Sequence, residues 1–322
     1  MKEKILIVDG MNVFIKAYIM NPQIDSRGDP IGGTFGFFKS LQKFVKDIQP
    51  SHVIVCWDGA MGSARRKSIA KGYKDGRKPL RLNRGYQPEM SNVEELENKR
   101  KQLVRTMQYL NSMPVIQVLI NNIEADDLIA YICQSEMYKG KVKVIVSNDK
   151  DFYQLCNEET IIYRPTQDEF LNAKRIVEKH SIHPNNFTIA RAMDGDRSDN
   201  LEGVPRCGIK TVAKRFPFLA AEKNVTIDDV INACKTSDSK LKIFKSILEN
   251  EDLIKRNYQL MQLYSPSISP TSSQEVDYII KNFIPRFNHT EIVKQFHLDG
   301  MDEYNWEYLF QKFRLFVAEN KH

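Results

Sequence analysis

No stretch of the chain approaches the roughly 20 consecutive apolar residues that a membrane-spanning helix needs. The N-terminus runs straight into Lys4-Ile5-Leu6-Ile7-Val8-Asp9, without a secretory apolar core and cleavage site. A membrane or exported destination is set aside, and the cytoplasm is expected. Cysteine is scarce: Cys56, Cys133, Cys156, Cys207 and Cys234 are odd in number, far apart, and include no Cys-x-x-Cys pair. That argues against a disulfide framework and against a zinc site, and leaves buried thiols in a reducing compartment as the expectation. There is no internal repeat, and no biased segment apart from Ser- and Pro-rich Tyr264 to Glu275, which reads as a loop or linker. The Walker A phosphate loop is missing too, because Ile209 separates Gly208 from Lys210. What remains is a chain of ordinary globular composition, 322 residues and 37.4 kDa, enough for one large domain or two smaller ones.

Net charge is +6 with a pI near 8.9, which suits polyanionic partners. The distribution says more than the total. Between Ala60 and Pro88 stand Arg65, Arg66, Lys67, Lys71, Lys74, Arg77, Lys78, Arg81 and Arg84 against the single acid Asp75. The segment has no strand pattern and no long apolar periodicity, and is too long for an ordinary connection. It reads as a basic insertion between a strand and a helix, directly after Asp58; a solvated lysine-rich loop is the plain alternative.

Ile5 to Val8 and Val53 to Trp57 are short apolar runs ending in Asp9-Gly10 and Asp58-Gly59, the pattern of buried parallel strands. Between them Phe35, Phe38, Leu41, Phe44, Val45 and Ile48 have the spacing of an amphipathic crossover helix over 32–48. Val115 to Leu119 and Val142 to Ser147 continue the series, and Val93, Leu96, Leu103, Met107 and Leu110 give a helix over 92–110 with those residues inward. Thr160 to Tyr163 is followed by mostly helical stretches. The series predicts an α/β fold with a central, mainly parallel sheet and helices on both faces. Ligands of such sheets bind beyond the carboxyl ends of the strands. Asp9, Asp58, the Glu124 group and the Asp149/Asp151 pair all follow strands, so four regions are expected to converge on one edge. One Asp after a strand is a common turn former; four form a pattern.

Glu124-Ala125-Asp126-Asp127 crowds three carboxylates onto the first turn of a helix buried by Leu128, Ile129, Tyr131 and Ile132. Glu124 and Asp127 share a face. Two bare carboxylates roughly 6 Å apart repel by about 3 kcal/mol at an effective dielectric near 20, so the cluster calls for something positive within it. The alternative is that acids favour helix N-termini for the macrodipole alone. Further on, Gly203-Val204-Pro205-Arg206-Cys207-Gly208-Ile209-Lys210-Thr211 reads as a hairpin opening a helix. It offers backbone N–H groups to a phosphate, with Lys210, Lys214 and Arg215 beside it. Near the end Trp306, Leu309, Phe310, Phe313 and Val317 form one helical stripe, read as core, with partner binding as the lesser alternative.

Taken together, Val8-Asp9-Gly10, Trp57-Asp58, Tyr73-Lys74-Asp75-Gly76-Arg77, Glu124-Ala125-Asp126-Asp127, Asn148-Asp149-Lys150-Asp151-Phe152 and Gly195-Asp196-Arg197-Ser198-Asp199-Asn200 resemble the 5′-nuclease or flap endonuclease family. These motifs fall in the family's order, and the resemblance spans about Lys4 to Phe216. Compact length and the run Arg256-Asn257-Tyr258-Gln259-Leu260 are most similar to the stand-alone bacteriophage 5′-3′ exonucleases, RNase H-like relatives among them.

The resemblance implies a PIN-like fold over 1–180 with a helical arch at about 60–90. It implies a helical duplex-binding region with a helix-three-turn-helix over 181–263, and leaves 264–322 as an extension for partner docking. It implies two Mg²⁺ ions, replaceable by Mn²⁺. Asp9, Asp58, Glu124 and Asp126 match the first metal site; Asp149, Asp151, Asp196 and Asp199 match the second, with Asp127 nearby. Tyr73, Lys74 and Arg77 match the residues that grip the scissile phosphate. Arg65, Arg66, Lys67 and Lys71, with Arg206, Lys210, Lys214 and Arg215, are the expected DNA contacts. A potassium ion is implied at the 203–211 hairpin, although Arg206 and Cys207 stand where relatives have Gly and Ile.

The implied activity is two-metal hydrolysis of phosphodiesters as a 5′-flap endonuclease and 5′-3′ exonuclease, in primer removal or flap processing during replication. The substrates would be branched or nicked DNA with a free 5′ end, and RNA of RNA–DNA hybrids. Replication proteins such as a single-stranded-DNA-binding protein are implied partners of a monomer acting in bacterial, or phage-infected host, cytoplasm. Hard carboxylates without His or Cys suit Mg²⁺ or Mn²⁺ on chemical grounds as well. Two other readings stay open: an inactive junction-binding protein, which would lack carboxylates, and a PIN-type ribonuclease, which would be shorter and lack the basic insertion and hairpin.

Overall fold

The computed structural model describes residues 2–76, 90–237 and 241–319. It divides into two compact units. The first holds the described residues of 1–58, 79–120 and 270–322, and the second those of 59–78 and 121–269.

In the first unit the apolar runs become β1 (Lys4–Asp9), β2 (His52–Trp57) and β3 (Ile116–Leu119), three parallel strands with β2 in the middle. Ile5 to Asp9 and Val53 to Trp57 are buried throughout, as strands covered on both faces require. The Gly10–Met20 helix starts at once, and Asp9 caps it by accepting from the Asn12 amide at 3.0 Å. Gly10 is dictated by contact, since a Cβ there would lie 2.5 Å from the Trp57 ring. The Gly32–Ile48 helix buries all six residues that the periodicity assigned to its inner face.

The Asn92–Asn111 helix follows a Ser91/Glu94 capping box. Its inner face corrects the expectation. Val93 and Leu96 are 66% and 60% exposed, whereas Glu95, Gln102, Thr106, Tyr109 and Leu110 are buried. The helix is turned because its polar side chains have partners: Gln102 accepts from the Gly33 amide and donates to the Pro30 carbonyl, both at 2.7 Å, and Thr106 donates to the Gln102 carbonyl at 2.8 Å. The expected 264–275 linker is half helix, since Pro270–Lys281 begins inside it; proline is tolerated in a first turn. Helices His289–Leu298 and Glu307–Glu319 complete this unit, and Phe296 packs edge-on against Phe38 and Tyr109 at 5.4 and 5.0 Å. Trp306, Leu309, Phe310 and Phe313 are core, as their stripe predicted, with Phe316 rather than Val317 as the next buried ring.

In the second unit β4 (Val142–Val146) pairs parallel with β5 (Thr160–Arg164). The sequence pattern missed the antiparallel β6 (Glu169–Leu171), a three-residue strand too short to show alternation. Helices then dominate. Pro184–Asp194 and Glu251–Met261 are fastened through Asn257, which is fully buried and donates to the carbonyls of Ala192 and Glu202 at 3.0 and 2.7 Å. All five cysteines are free and buried. Among the described residues no helix is long and apolar enough to cross a membrane.

Candidate active site

The Ala125–Gln134 helix starts directly after Glu124, so Asp126 and Asp127 sit in the first turn, where the dipole favours them. Glu124 and Asp127 are 3% and 2% exposed, and buried charges of one sign require a partner. The positive group is Arg66, from the short Ala64–Ile69 helix in the basic insertion. Its Nη1 donates to Glu124 Oε2 and, at 2.7 Å, to Asp127 Oδ2, while its Nε donates to the Leu260 carbonyl at 2.9 Å. The other Asp127 oxygen accepts from the Ser267 amide at 2.8 Å.

Lys74 Nζ donates to Glu124 Oε1, and the Tyr73 hydroxyl reaches Glu124 Oε2 at 3.4 Å. Burial would lower the Lys74 pKa, but the charges of Glu124 and Asp126 more than reverse it. Arg66 behaves the same way toward Asp127 and Glu124, so both cations stay charged. Burial, then Glu124 and Asp199, push the Tyr73 phenol far above its ordinary value, which keeps it a neutral donor.

A second acidic cluster follows β4. Asp149 Oδ1 accepts from the Asp151 amide at 2.8 Å, which turns the chain into a 3₁₀ segment over Asp151–Leu155. Arg191 serves here as Arg66 does in the first cluster. Its Nε donates to Asp151 at 2.7 Å, its Nη2 to Asp196 at 2.5 Å, and its Nη1 to the Gly195 carbonyl at 3.1 Å. Burial and the neighbouring Asp149 charge push the Asp151 carboxyl up to about 7, and burial lifts Asp149 as well. Burial opposes ionisation of Asp196 too, but hydrogen bonds from Ser198 and the nearby Arg191 hold it below the usual range. One arginine leaves this cluster with negative charge to spare.

The two clusters are tied through the backbone. The Lys74 amide donates to the Asp199 carbonyl at 2.9 Å, and Asn200 Nδ2 donates to the Gly72 carbonyl, also at 2.9 Å. Lys74 takes a left-handed backbone (φ +60°), uncommon for a residue with a side chain.

Other expected residues are placed as follows. Asp9 and Asp58 belong to the first unit, at the same end of adjacent parallel strands. Arg65 donates to Ser267 Oγ, and Lys67 pairs with Asp75 at 3.4 Å; both are exposed, as is Lys71. Arg66, grouped with them on sequence, is buried and turned to the carboxylates. Arg77 and the rest of the basic segment through Glu89 lie outside the described residues.

At the hairpin Arg206, Lys210, Lys214 and Arg215 are exposed. Arg206 takes a left-handed backbone, φ +70°, of the kind glycine adopts without strain. Two of the amides expected to face phosphate are used internally, Val204 N to the Met193 carbonyl and Cys207 N to the Val204 carbonyl. Beside the hairpin lies an open cleft of about 610 Å³ lined by Asp194, Arg197, Asn200 and Arg206 among others.

Sequence reasoning missed Arg191, and it quoted Asn200 and Asn257 only within longer motifs, with no role of their own. Arg191 had a signal, a single base inside the apolar run Ile189-Ala190-Arg191-Ala192-Met193, where a buried cation implies a buried anion.

Among the described residues no three His, Cys, Asp or Glu side chains converge into a ready coordination shell. The donor chemistry nonetheless fits a hard divalent cation, since every candidate ligand is a carboxylate. The raised Asp149 and Asp151 carboxyls mark negative charge that a cation would relieve.

The fold is shared with a flap endonuclease. The bacteriophage T5 D15 flap endonuclease, solved as a pseudo-enzyme–product complex with DNA and metal ions, superposes with a TM-score of 0.63 at 19% identity, covering 99% of this chain and 100% of that one. A 5′-3′ exonuclease of Buchnera aphidicola is 31% identical over 228 residues, 70% of this chain and 73% of the relative. DNA polymerase I of Bacillus subtilis is 27% identical over 250 residues, 76% of this chain and 26% of that protein, so the chain spans about a quarter of the polymerase. The model of the 5′-3′ exonuclease N-terminal, resolvase-like domain matches residues 4–181. The chain belongs to the 5′-3′ exonuclease family, and is a nuclease of that family.

Proposed function

We propose that the chain is a structure-specific 5′-nuclease, cutting phosphodiesters of branched or nicked DNA near a free 5′ end with the help of divalent cations. The observation that carries this is the meeting of the basic insertion with the acids: Lys74 and Tyr73 reach Glu124, while the Lys74 backbone is held by the Asp199 carbonyl. A phosphodiester beside such a cluster would meet an ammonium and a neutral phenol at the carboxylate edge. The family pattern assigns Asp9, Asp58, Glu124 and Asp126 to one of two cations and Asp149, Asp151, Asp196 and Asp199 to the other, with Asp127 alongside.

Cations bound by these carboxylates supply the charge that lowers the pKa of an attacking water and neutralises phosphoryl oxygens. In this reading Tyr73, Lys74 and Arg77 grip the scissile phosphate, and Lys74 and Arg77 stabilise the charge that grows on it. Arg66 and Arg191 hold the carboxylates in place. Exposed Arg65, Lys67, Lys71, Arg206, Lys210, Lys214 and Arg215 grip the backbone, so recognition rests on junction shape rather than base edges.

The same reading makes 1–180 the nuclease core with its arch, 181–263 the duplex-binding region with potassium at the 203–211 hairpin, and 264–322 a docking extension for replication proteins. It places a monomer in bacterial or host cytoplasm, acting on RNA–DNA hybrids as well as DNA. The test is cleavage of a 5′-flap duplex labelled at its 3′ end, with Mg²⁺ or with EDTA. Junction cutting that EDTA abolishes is the expected result. Tight binding without cutting in either Mg²⁺ or Mn²⁺ would make the chain an inactive junction binder.

A further inference from the structure

We propose that the Lys74 ammonium is a placeholder on Glu124: in the DNA-free protein it occupies the carboxylate oxygen that a divalent cation takes, and cation binding releases it toward the substrate phosphate. This rests on the reading of Glu124 as a metal ligand.

The two oxygens of Glu124 are held differently. Oε2 accepts from Arg66, whose side chain is 9% exposed and is also bound to Asp127 and to the Leu260 carbonyl. Three partners on two segments hold Arg66 in place. Oε1 accepts from Lys74, whose side chain is 20% exposed. Lysine carries a compact, strongly hydrated charge on a flexible stem, so it leaves a carboxylate more readily than a forked guanidinium does. Its backbone stays where it is, fixed by the Asp199 carbonyl in a left-handed turn. Release therefore swings the ammonium about a stationary anchor within the cluster.

Charge favours the exchange. The Lys74 ammonium faces Glu124, Asp126 and Asp199, and a divalent ion puts two positive charges where the ammonium puts one, so it relieves more of the repulsion among these acids. The exchange ties metal loading to arming of the lysine. A protein without metal keeps its phosphate-binding ammonium engaged.

The experiment measures Mn²⁺ binding to DNA-free protein by electron paramagnetic resonance and calorimetry, for the original chain, Lys74→Gln, Glu124→Gln, the double variant and Lys67→Gln. The expected result is that Lys74→Gln binds its first Mn²⁺ roughly tenfold more tightly, about 1.4 kcal/mol. The gain should vanish in the double variant and be absent in Lys67→Gln, which removes an exposed charge from the same segment. In the unmodified protein, the Lys74 side-chain resonances should shift in step with Mg²⁺ saturation. Unchanged or weaker binding in Lys74→Gln, while Glu124→Gln loses the site, would overturn the placeholder and leave Glu124 a ligand. Equal tightening in Lys67→Gln would reduce the effect to general electrostatics and overturn it too. Binding indifferent to Glu124→Gln would overturn the ligand reading on which the inference stands.

Discussion

Arg66 donates to Asp127 at 2.7 Å inside a region from which water is nearly excluded, and the same guanidinium reaches the Leu260 carbonyl 194 residues along the chain. The base of the basic insertion is thus joined to the acidic helix by a charged core contact rather than by apolar packing alone. Arg66→Ala would leave Glu124 and Asp127 buried without their partner, and the expected loss is about 3–5 kcal/mol of stability. Arg66→Lys keeps a charge but not the fork, and should lose less. Urea unfolding checks both. Midpoints equal to that of the unaltered protein would mean the contact contributes nothing.

Asp126→Asn and Asp149→Asn each remove a charge from the proposed cation sites. Flap cleavage should fall roughly 10²-fold or more, while gel-shift affinity for the same junction is retained. Normal turnover in both variants would refute the assignment.

For Lys74→Ala the expected signature is a kcat reduced by roughly 10²–10³ with KM little changed, because the ammonium acts on charge that develops at the phosphate. Equal losses in kcat and in DNA affinity would make Lys74 a docking contact.

Arg206 holds a left-handed turn at φ +70°. Arg206→Gly relieves that strain and should raise stability by up to about 1 kcal/mol in thermal unfolding. If the exposed guanidinium contacts phosphate, the same variant binds duplex more weakly, with the salt slope reduced by about 1. A gain in stability with unaltered affinity would confine Arg206 to the turn.

Gln102 caps a helix other than its own. Its Oε1 accepts from the amides of Gly33 and Thr34 at 2.7 and 3.2 Å, at the start of the Gly32–Ile48 helix, where Ile31 offers no side-chain cap. Gln102→Ala leaves those buried donors unmatched and should cost about 1–3 kcal/mol, read by urea unfolding.

β1, β2 and β4 were legible because they are buried along almost their whole length, and the crossover helix because its apolar stripe is its buried face. Val93 and Leu96 misled for a physical reason. Apolar periodicity counts hydrophobic side chains, and it cannot see that the side chains of Gln102 and Thr106 have hydrogen-bond partners that let them lie inward. The acids of the candidate site were readable from their places after strands and at a helix start. Their counter-charges were not. A basic residue in a loop looks the same whether it faces solvent, as Lys71 does, or is buried between two carboxylates, as Arg66 is; tertiary packing decides which.

The first unit is assembled from three separate stretches, with its closing helices contributed only after Pro270, while every segment of the second unit precedes that point. On the ribosome the second unit is therefore fully emerged while the first still lacks the partner for its aromatic face. Until Phe296 and Trp306 appear, Phe35, Phe38 and Tyr109 have no rings from that segment to pack against. Nascent chains paused there would present adhesive aromatic surface, the state in which chaperones and proteases find their clients.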